Sequence, residues 1–113
     1  MTIEEYFETG PDFERPIFDA VLSIMKTADP KIWFEPISVG IFFKRRTVLL
    51  ALRPMTKWVA VCFHLDRRLN SDRISRKIIE NGSRFYHVVN VMASDQVDTE
   101  LAGWLLEAWQ LDE

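Results

Sequence analysis

The sequence predicts an α+β fold, a two-layer sandwich in which helices cover one face of an antiparallel sheet. Apolar residues recur every three or four positions near both ends of the chain, as they do along one face of a helix. Between these segments lie four short runs rich in Val, Ile, Phe and Trp, which are typical of strands. With 113 residues, 48% of them hydrophobic, the chain can bury one core, and we predict a single domain over residues 1–113.

The first helix is predicted from Asp12 to about Ala28. Pro16 would clash with the carbonyl four residues earlier inside a regular helix, so we expect the regular part to begin close to Arg15. The pair Asp29-Pro30 ends it, because a residue before proline is disfavoured in helical geometry. The residues that share its apolar face are Phe13, Ile17, Ala20, Val21, Ile24 and Ala28.

Four strands are predicted to follow, separated by short basic or proline-containing turns. A connection of three or four residues is too short for a parallel crossover, so the last three of these strands form an antiparallel meander. Its hairpin tips are residues 44–46 and 54–57. The four predicted strands are Ile32–Glu35, Ser38–Phe43, Thr47–Arg53 and Trp58–Leu65.

The remaining chain predicts a connection, a fifth strand and a second helix. Residues 66–83 are polar and basic, and we interpret them as a loop with a short helix because of three isoleucines between residues 74 and 79. The fifth strand is Arg84–Val91. The closing helix is expected from Ser94, a favourable N-cap residue. The apolar stripe of this helix is Val97, Leu101, Trp104, Leu105 and Ala108.

Alternation along the third and fourth strands assigns their side chains to two faces. The face that the helices cover carries Val48, Leu50, Leu52, Val59, Val61, Phe63 and Leu65. The opposite face carries Leu49, Ala51, Arg53, Trp58, Ala60, Cys62 and His64. Two helices cover only part of a sheet of this size, so we expect this second, semi-polar face to remain open to a partner.

Charge is distributed unevenly along the chain. Its net charge is only −3, but residues 44–84 carry a net +8 between acidic segments of −5 and −6. We interpret the basic segment as a surface for an anionic partner, either nucleic acid or an acidic protein. The residues assigned to anion contacts are Lys44, Arg45, Arg46, Lys57, Arg67, Arg68, Arg73 and Arg76, with Phe42 and Trp58 as stacking groups. The competing interpretation is that these bases pair with acids of the two helices.

Two other functions remain open from the sequence. One is an enzyme that acts on a small anionic substrate with His64 or His87 as its acid–base group. The other is a structural domain that forms a homodimer through the uncovered sheet face. The sequence has no glycine-rich phosphate loop, nucleophile elbow or dinucleotide fingerprint. The preferred interpretation is therefore a non-catalytic binding module with no catalytic residue and no cofactor.

Residue types that bind zinc occur at Cys62, His64, Asp66 and His87, but their spacing matches no ligand motif, so we predict no metal site. Cys62 lies in an apolar run and is expected to be an inert, buried thiol. As the only cysteine, it cannot form an intrachain disulfide. The amino terminus lacks signal-peptide features, and no apolar run approaches the ~18 residues of a membrane span. We therefore expect a cytoplasmic protein with no membrane partner.

Three short motifs stand out along the chain: Glu-Glu-Tyr-Phe at 4–7, Arg-Pro-Ile-Phe at 15–18 and Gly-Ile-Phe-Phe-Lys at 40–44. The strand that contains Trp58, a basic segment and an acidic closing helix follow them. Together these features resemble a bacterial family known as domain of unknown function 5655, and the resemblance covers most of the chain. It implies one α+β domain with its elements in this order, and it implies no reaction, ligand or catalytic residue.

Overall fold

The computed structural model describes residues 1–113 and contains three α-helices, one 3₁₀ turn and six strands. No helix has the length and apolar composition that crossing a membrane requires. In chain order the elements are α1 (Ile3–Tyr6), α2 (Glu14–Ala28), β1 (Trp33–Ile37), β2 (Gly40–Lys44), β3 (Val48–Pro54), β4 (Val59–Leu65), β5 (Ile79–Asn81), β6 (Arg84–Val91), the 3₁₀ turn Ser94–Gln96 and α3 (Thr99–Leu111).

All six strands form one antiparallel sheet in the order β1-β2-β3-β4-β6-β5. The first four strands are consecutive neighbours, which confirms the predicted meander. The register pairs Leu50 with Phe63 and Leu52 with Val61. Directly opposed residues project to the same side of a sheet, so these four side chains share one face.

Both long helices lie on that face and bury it, which confirms the two-layer α+β prediction. α2 begins at Glu14, one residue before the start predicted for its regular part. Each large apolar side chain buried in this layer stabilises the fold by about 1.5–3 kcal/mol. The helix residues buried in the core are Ile17, Phe18, Val21, Met25, Leu101, Leu105 and Ala108.

The short helix predicted within residues 66–83 is absent, and this part of the prediction is corrected. The chain instead forms a loop beside α3 and then runs along the outer edge of β6, where Ile74 bridges to Val89 and Ile79 pairs with Tyr86. The physical reason is that β6 offers unpaired backbone groups on that edge, and pairing with them satisfies more hydrogen bonds than one isolated helical turn would.

The two chain ends also differ from the prediction. α1 is a single turn held by a capping box, in which Thr2 and Glu5 each accept a hydrogen bond from the backbone of the other. α3 begins at Thr99, because the side chain of Asp98 accepts a hydrogen bond from the Leu101 amide and caps the helix. The expected cap, Ser94, starts the 3₁₀ turn instead.

Candidate functional site

The side of the sheet away from α2 and α3, here called the uncovered face, carries the β4 residues that alternation assigned to it. Val48 was predicted on the covered face and is corrected: an irregularity in the β2–β3 register pairs it with Lys44, and it is 42% exposed in the lining of the cleft. Ala51 lies opposite Cys62 and Arg53 lies opposite Ala60 across the β3–β4 pair. The flanking strands add three larger side chains to this face. They are Phe42 from β2, opposite Ala51, and Tyr86 and Val88 from β6, opposite His64 and Cys62.

A cleft of about 340 Å³ opens on the uncovered face, and nine of its twelve lining residues are hydrophobic. Its shape follows from side-chain size, because the small residues Ala51 and Cys62 lie between the larger rings of Phe42 and Tyr86. Leu49 also lines the cleft and is only 1% exposed. The uncovered face is therefore concave and apolar at its centre.

Arg53 is the only residue with a permanent charge in the lining of the cleft, which contains no carboxylate. Arg76 approaches from the opposite side, since the segment that carries it runs outside β6 and Ser75 hydrogen-bonds to Val88. Burial dominates at the Cys62 thiol and raises its pKa, and the positive charges of Arg53 and Arg76 partly oppose that rise. Neither Arg53 nor Arg76 forms an ion pair; the ion pairs of the protein involve Arg67, Arg68 and Arg73.

His64 lines the same cleft and is 7% exposed. Its Nε2 atom is buried and has no hydrogen-bond partner. Burial, reinforced by the positive charge of Arg84, lowers the pKa of His64, and the nearby carboxylate of Asp112 only partly opposes this shift. The imidazole is therefore neutral at pH 7, with one buried ring nitrogen unsatisfied.

His87 belongs to the other side of the sheet, opposite Phe63, and its ring stacks on that phenyl ring at 5.4 Å between centroids. Its Nε2 atom accepts a 3.0 Å hydrogen bond from the Leu69 amide, so the imidazole helps to hold the loop after β4. Burial lowers the pKa of His87 as well. Because Cys62 and His64 lie on the opposite face, the structure contains no group of three metal-ligating side chains.

Two of the predicted anion-binding residues, Arg45 and Arg46, are bound to the carboxyl end of α3. The guanidinium of Arg45 lies 3.9 Å from the centre of the Trp109 ring and donates a 3.1 Å hydrogen bond to the Trp109 carbonyl. Arg46 donates a 2.8 Å hydrogen bond to the Glu113 carbonyl. Both side chains satisfy carbonyl groups at a helix end, where the macrodipole favours positive charge.

Three further predicted cations form ion pairs within the molecule. Arg67 binds Glu107 through two hydrogen bonds of 2.8 and 2.9 Å. Arg73 binds the first turn of α3 through both Asp98 and Glu100, and Arg68 lies 3.5 Å from Glu80. Arg73 is thus at the opposite end of α3 from Arg45, a distance of roughly 20 Å for a helix of this length.

The structure therefore does not gather the eight predicted anion contacts into one surface. Lys44 lies over the ring of Trp33 near the sheet edge, and Lys57 is exposed in the β3–β4 turn. Arg76 does not line the cleft, but its positive charge acts on the Cys62 thiol there. Of the two predicted stacking groups, Phe42 lines the cleft and Trp58 does not.

Sequence reasoning did not choose Arg53 as an anion contact, although alternation placed it on the uncovered face. The signal that could have identified it is its position in a strand between apolar residues, where a cation facing the helices would have been buried without a partner. Tyr86 could not be assigned to the wall of the cleft from the sequence, because its position opposite His64 depends on the β4–β6 register.

Comparison with known proteins gives one match. A family model described as "Domain of unknown function (DUF5655)" matches residues 3–112, which is nearly the whole chain. No curated protein and no solved structure matches the chain.

Proposed function

The chain belongs to the DUF5655 family, and we propose that it is a non-catalytic binding module whose uncovered face binds an anionic partner. One observation carries this proposal: Arg53 and Arg76 remain free of ion pairs and approach a cleft that has no carboxylate in its lining. An acidic group there would meet two cations and no carboxylate in the lining, since the acid on the same face, Glu35, lies on β1 beyond Phe42.

The contrast between the two layers supports this assignment. On the helix side the arginines that contact α3 already have partners, as in the Arg67–Glu107 pair. On the uncovered face Arg53 and Arg76 have none, so an incoming anion displaces no internal carboxylate. We also propose that the module acts in the cytoplasm, because its single cysteine, Cys62, is a free thiol.

Nucleic acid is the less favoured anion. Two phosphate contacts would give a salt slope of only about −2 in a plot of log affinity against log salt, whereas proteins that hold duplex DNA by its backbone use about 6–10 contacts. The partner is more consistent with one acidic group, or a few, presented to a concave apolar surface.

The test is a pyrophosphate titration of ¹⁵N-labelled protein at low ionic strength, followed through the arginine Nε–Hε signals. We expect the signals of Arg53 and Arg76 to shift together and saturate, because these guanidinium groups are free. The signals of Arg67 and Arg73 should move little, because carboxylates already occupy them. Uniform shifts across all arginines, or none at Arg53 and Arg76, would contradict the proposal.

A matched pair of variants sharpens this test. Arg53→Gln removes one cation from the cleft, and Arg15→Gln removes one from the exposed surface of α2. Both changes lower the net charge by the same amount, so a purely long-range attraction would weaken equally in the two variants. We expect weaker pyrophosphate binding only for Arg53→Gln.

A second candidate function, an enzyme that uses His64, has one specific observation in its favour. The lining of the cleft contains a histidine and an arginine, and the lowered pKa of His64 leaves its imidazole neutral at pH 7, the state that a general base requires. Hydrolysis of p-nitrophenyl acetate is a simple probe of such a base. Under this alternative the rate of hydrolysis rises as the pH rises through the pKa of His64, and His64→Gln loses this activity. Under our proposal wild type and His64→Gln give the same slow rate.

A further inference from the structure

The cleft on the uncovered face has the dimensions of a small-molecule site. Its volume of about 340 Å³ lies at the lower end of the range for ligand pockets, about 300–1,000 Å³. Ala51 and Cys62 keep its centre open, and the rings of Phe42 and Tyr86 line it on β2 and β6. A flat apolar body fits between these rings, where aromatic groups favour offset or edge-to-face contacts.

Charge restricts the occupant further. Arg53 belongs to the lining, Arg76 is near enough to affect the Cys62 thiol, and no lining residue is acidic. A guanidinium presents parallel N–H groups that match the two oxygens of a carboxylate. The cleft therefore complements a molecule that carries one acidic group at the edge of an apolar body.

His64 forms part of the wall of the cleft and is 7% exposed. Its Nε2 atom has no partner in the protein but is itself buried, so an occupant would contact the ring and not this nitrogen. Tyr86 lies opposite His64 on β6 and continues this wall.

We infer that the anionic partner is a small aromatic carboxylate, with its ring between Phe42 and Tyr86 and its carboxylate on Arg53. This inference rests on the proposed function, because it assigns a chemical class to the anion bound at the same face. It goes beyond that function in predicting that the apolar cleft contributes to affinity together with the arginines.

A ligand pair separates the two contributions. 2-Naphthoate carries the carboxylate, and 2-naphthamide has nearly the same shape without the charge. We expect the acid to bind about tenfold more tightly than the amide, which is the size of effect that charge-assisted hydrogen bonds produce. Affinities come from titrations monitored by protein NMR, with the His64 and Tyr86 ring signals expected to shift for both ligands.

Two variants and one control test the named residues. Arg53→Gln should abolish the preference for the acid while the amide still binds, and Arg15→Gln on α2 should change neither affinity. Ala51→Trp should block both ligands by filling the cleft. Arg53 is exposed and makes no hydrogen bond or ion pair within the protein, so the Arg53→Gln result does not depend on how well Ala51→Trp folds.

The alternative outcomes are distinct. Equal binding of acid and amide, or binding that Arg53→Gln leaves unchanged, overturns the inference. If neither naphthalene binds but pyrophosphate still shifts Arg53 and Arg76, the inference fails and the proposed function stands. If pyrophosphate also has no effect, both fail. Self-association through the uncovered face without ligand binding would identify that face as a dimer interface and overturn the inference as well.

Discussion

Asp112→Asn tests the contact that joins the end of α3 to the β2–β3 hairpin. Asp112 is 6% exposed and accepts three hydrogen bonds. Its Oδ2 atom binds the amides of Arg46 and Thr47 at 2.7 and 2.9 Å, and its Oδ1 atom binds the Thr47 hydroxyl at 2.5 Å. The asparagine can keep one oxygen for the two amides, but that acceptor is now neutral, and its NH₂ group requires the Thr47 hydroxyl to turn from donor to acceptor.

The magnitude follows from the number and type of these bonds. A hydrogen bond to a charged group contributes about 1.5–3 kcal/mol, and three bonds to one carboxylate from adjacent residues are not additive. We therefore expect Asp112→Asn to lower the free energy of unfolding by about 3 kcal/mol. For a domain of this length such a loss lowers the melting temperature by roughly 12 °C.

The effect has a defined pH dependence. Burial alone would raise the pKa of Asp112, but the hydrogen bonds from Thr47 and Arg46 outweigh it and hold the pKa below its usual range. Since the folded-state pKa is below the unfolded-state value of about 4, the carboxylate stabilises the fold above pH 4 and loses this effect as the pH falls through the folded-state pKa. The difference between wild type and Asp112→Asn should therefore shrink in acid.

Urea unfolding at pH 7 and at acidic pH measures both effects. Asp95→Asn is the control, because Asp95 is exposed in the 3₁₀ turn and makes no side-chain hydrogen bond. A free energy for Asp112→Asn within about 0.5 kcal/mol of wild type, the range of ordinary surface changes, would refute the reasoning. A difference that stays constant in acid would refute the part that concerns the carboxylate charge.

Two further predictions concern backbone space and a buried acid, and urea unfolding checks both. Gly40→Ala should lower the free energy of unfolding by more than about 3 kcal/mol, because a Cβ would collide with the Leu52 carbonyl oxygen. Gly103→Ala has open space and a helical backbone, so it should raise the free energy of unfolding by about 0.5–1 kcal/mol. Similar values for the two variants would contradict the predicted collision. Glu14 is 2% exposed and accepts a 2.6 Å hydrogen bond from the Tyr6 hydroxyl, and its burial raises its pKa. An ionised carboxylate is then unfavourable at pH 7, so Glu14→Gln should be more stable than wild type there and lose this advantage below about pH 4; a variant less stable at pH 7 would disprove this.

The meander was predictable because its determinants are local. Turns such as 44–46 and 54–57 are too short for anything but hairpins, and alternation along β4 indicates which of its residues face the helices. Alternation failed at Val48, because the irregularity between β2 and β3 is not visible in the local pattern. The same alternation placed Arg53 and His64 on the uncovered face before any contact was known. These features depend on residues that are neighbours in sequence, so one sequence contains enough information for them.

The segment 66–83 was not predictable for the opposite reason. Ile74 and Ile79 fit one turn of a helix as well as they fit an edge strand, and a pattern this short favours neither. The strand forms because β6 has a free edge beside it, and β6 begins only at Arg84, after the segment has ended. The structure of this segment is therefore decided by pairing that the segment itself does not encode.

The partners of the cations could not be predicted either, because they are distant in the sequence. Arg67 pairs with Glu107 across 40 residues, and Arg46 donates to Glu113 across 67. The basic segment could be recognised from composition, but which of its members remain free depends on the placement of α3. From the sequence, each basic residue could either pair with an acid of the protein or remain free for an external anion. The fold determines which of the two applies to each residue.

Placing α3 on one face also explains why unpaired cations remain on the other. Residues 85–113 contain six acids and no Lys or Arg, and α3, which lies within this segment, packs on the covered face of the sheet. There its acids bind arginines of the loop after β4, as Glu107 binds Arg67 and Asp98 binds Arg73. No acid of α3 forms an ion pair with Arg53, which stays unpaired although the chain as a whole is acidic. Net charge is thus a poor guide to the proposed binding surface, because the acids of α3 neutralise arginines on the covered side and leave Arg53 without a partner.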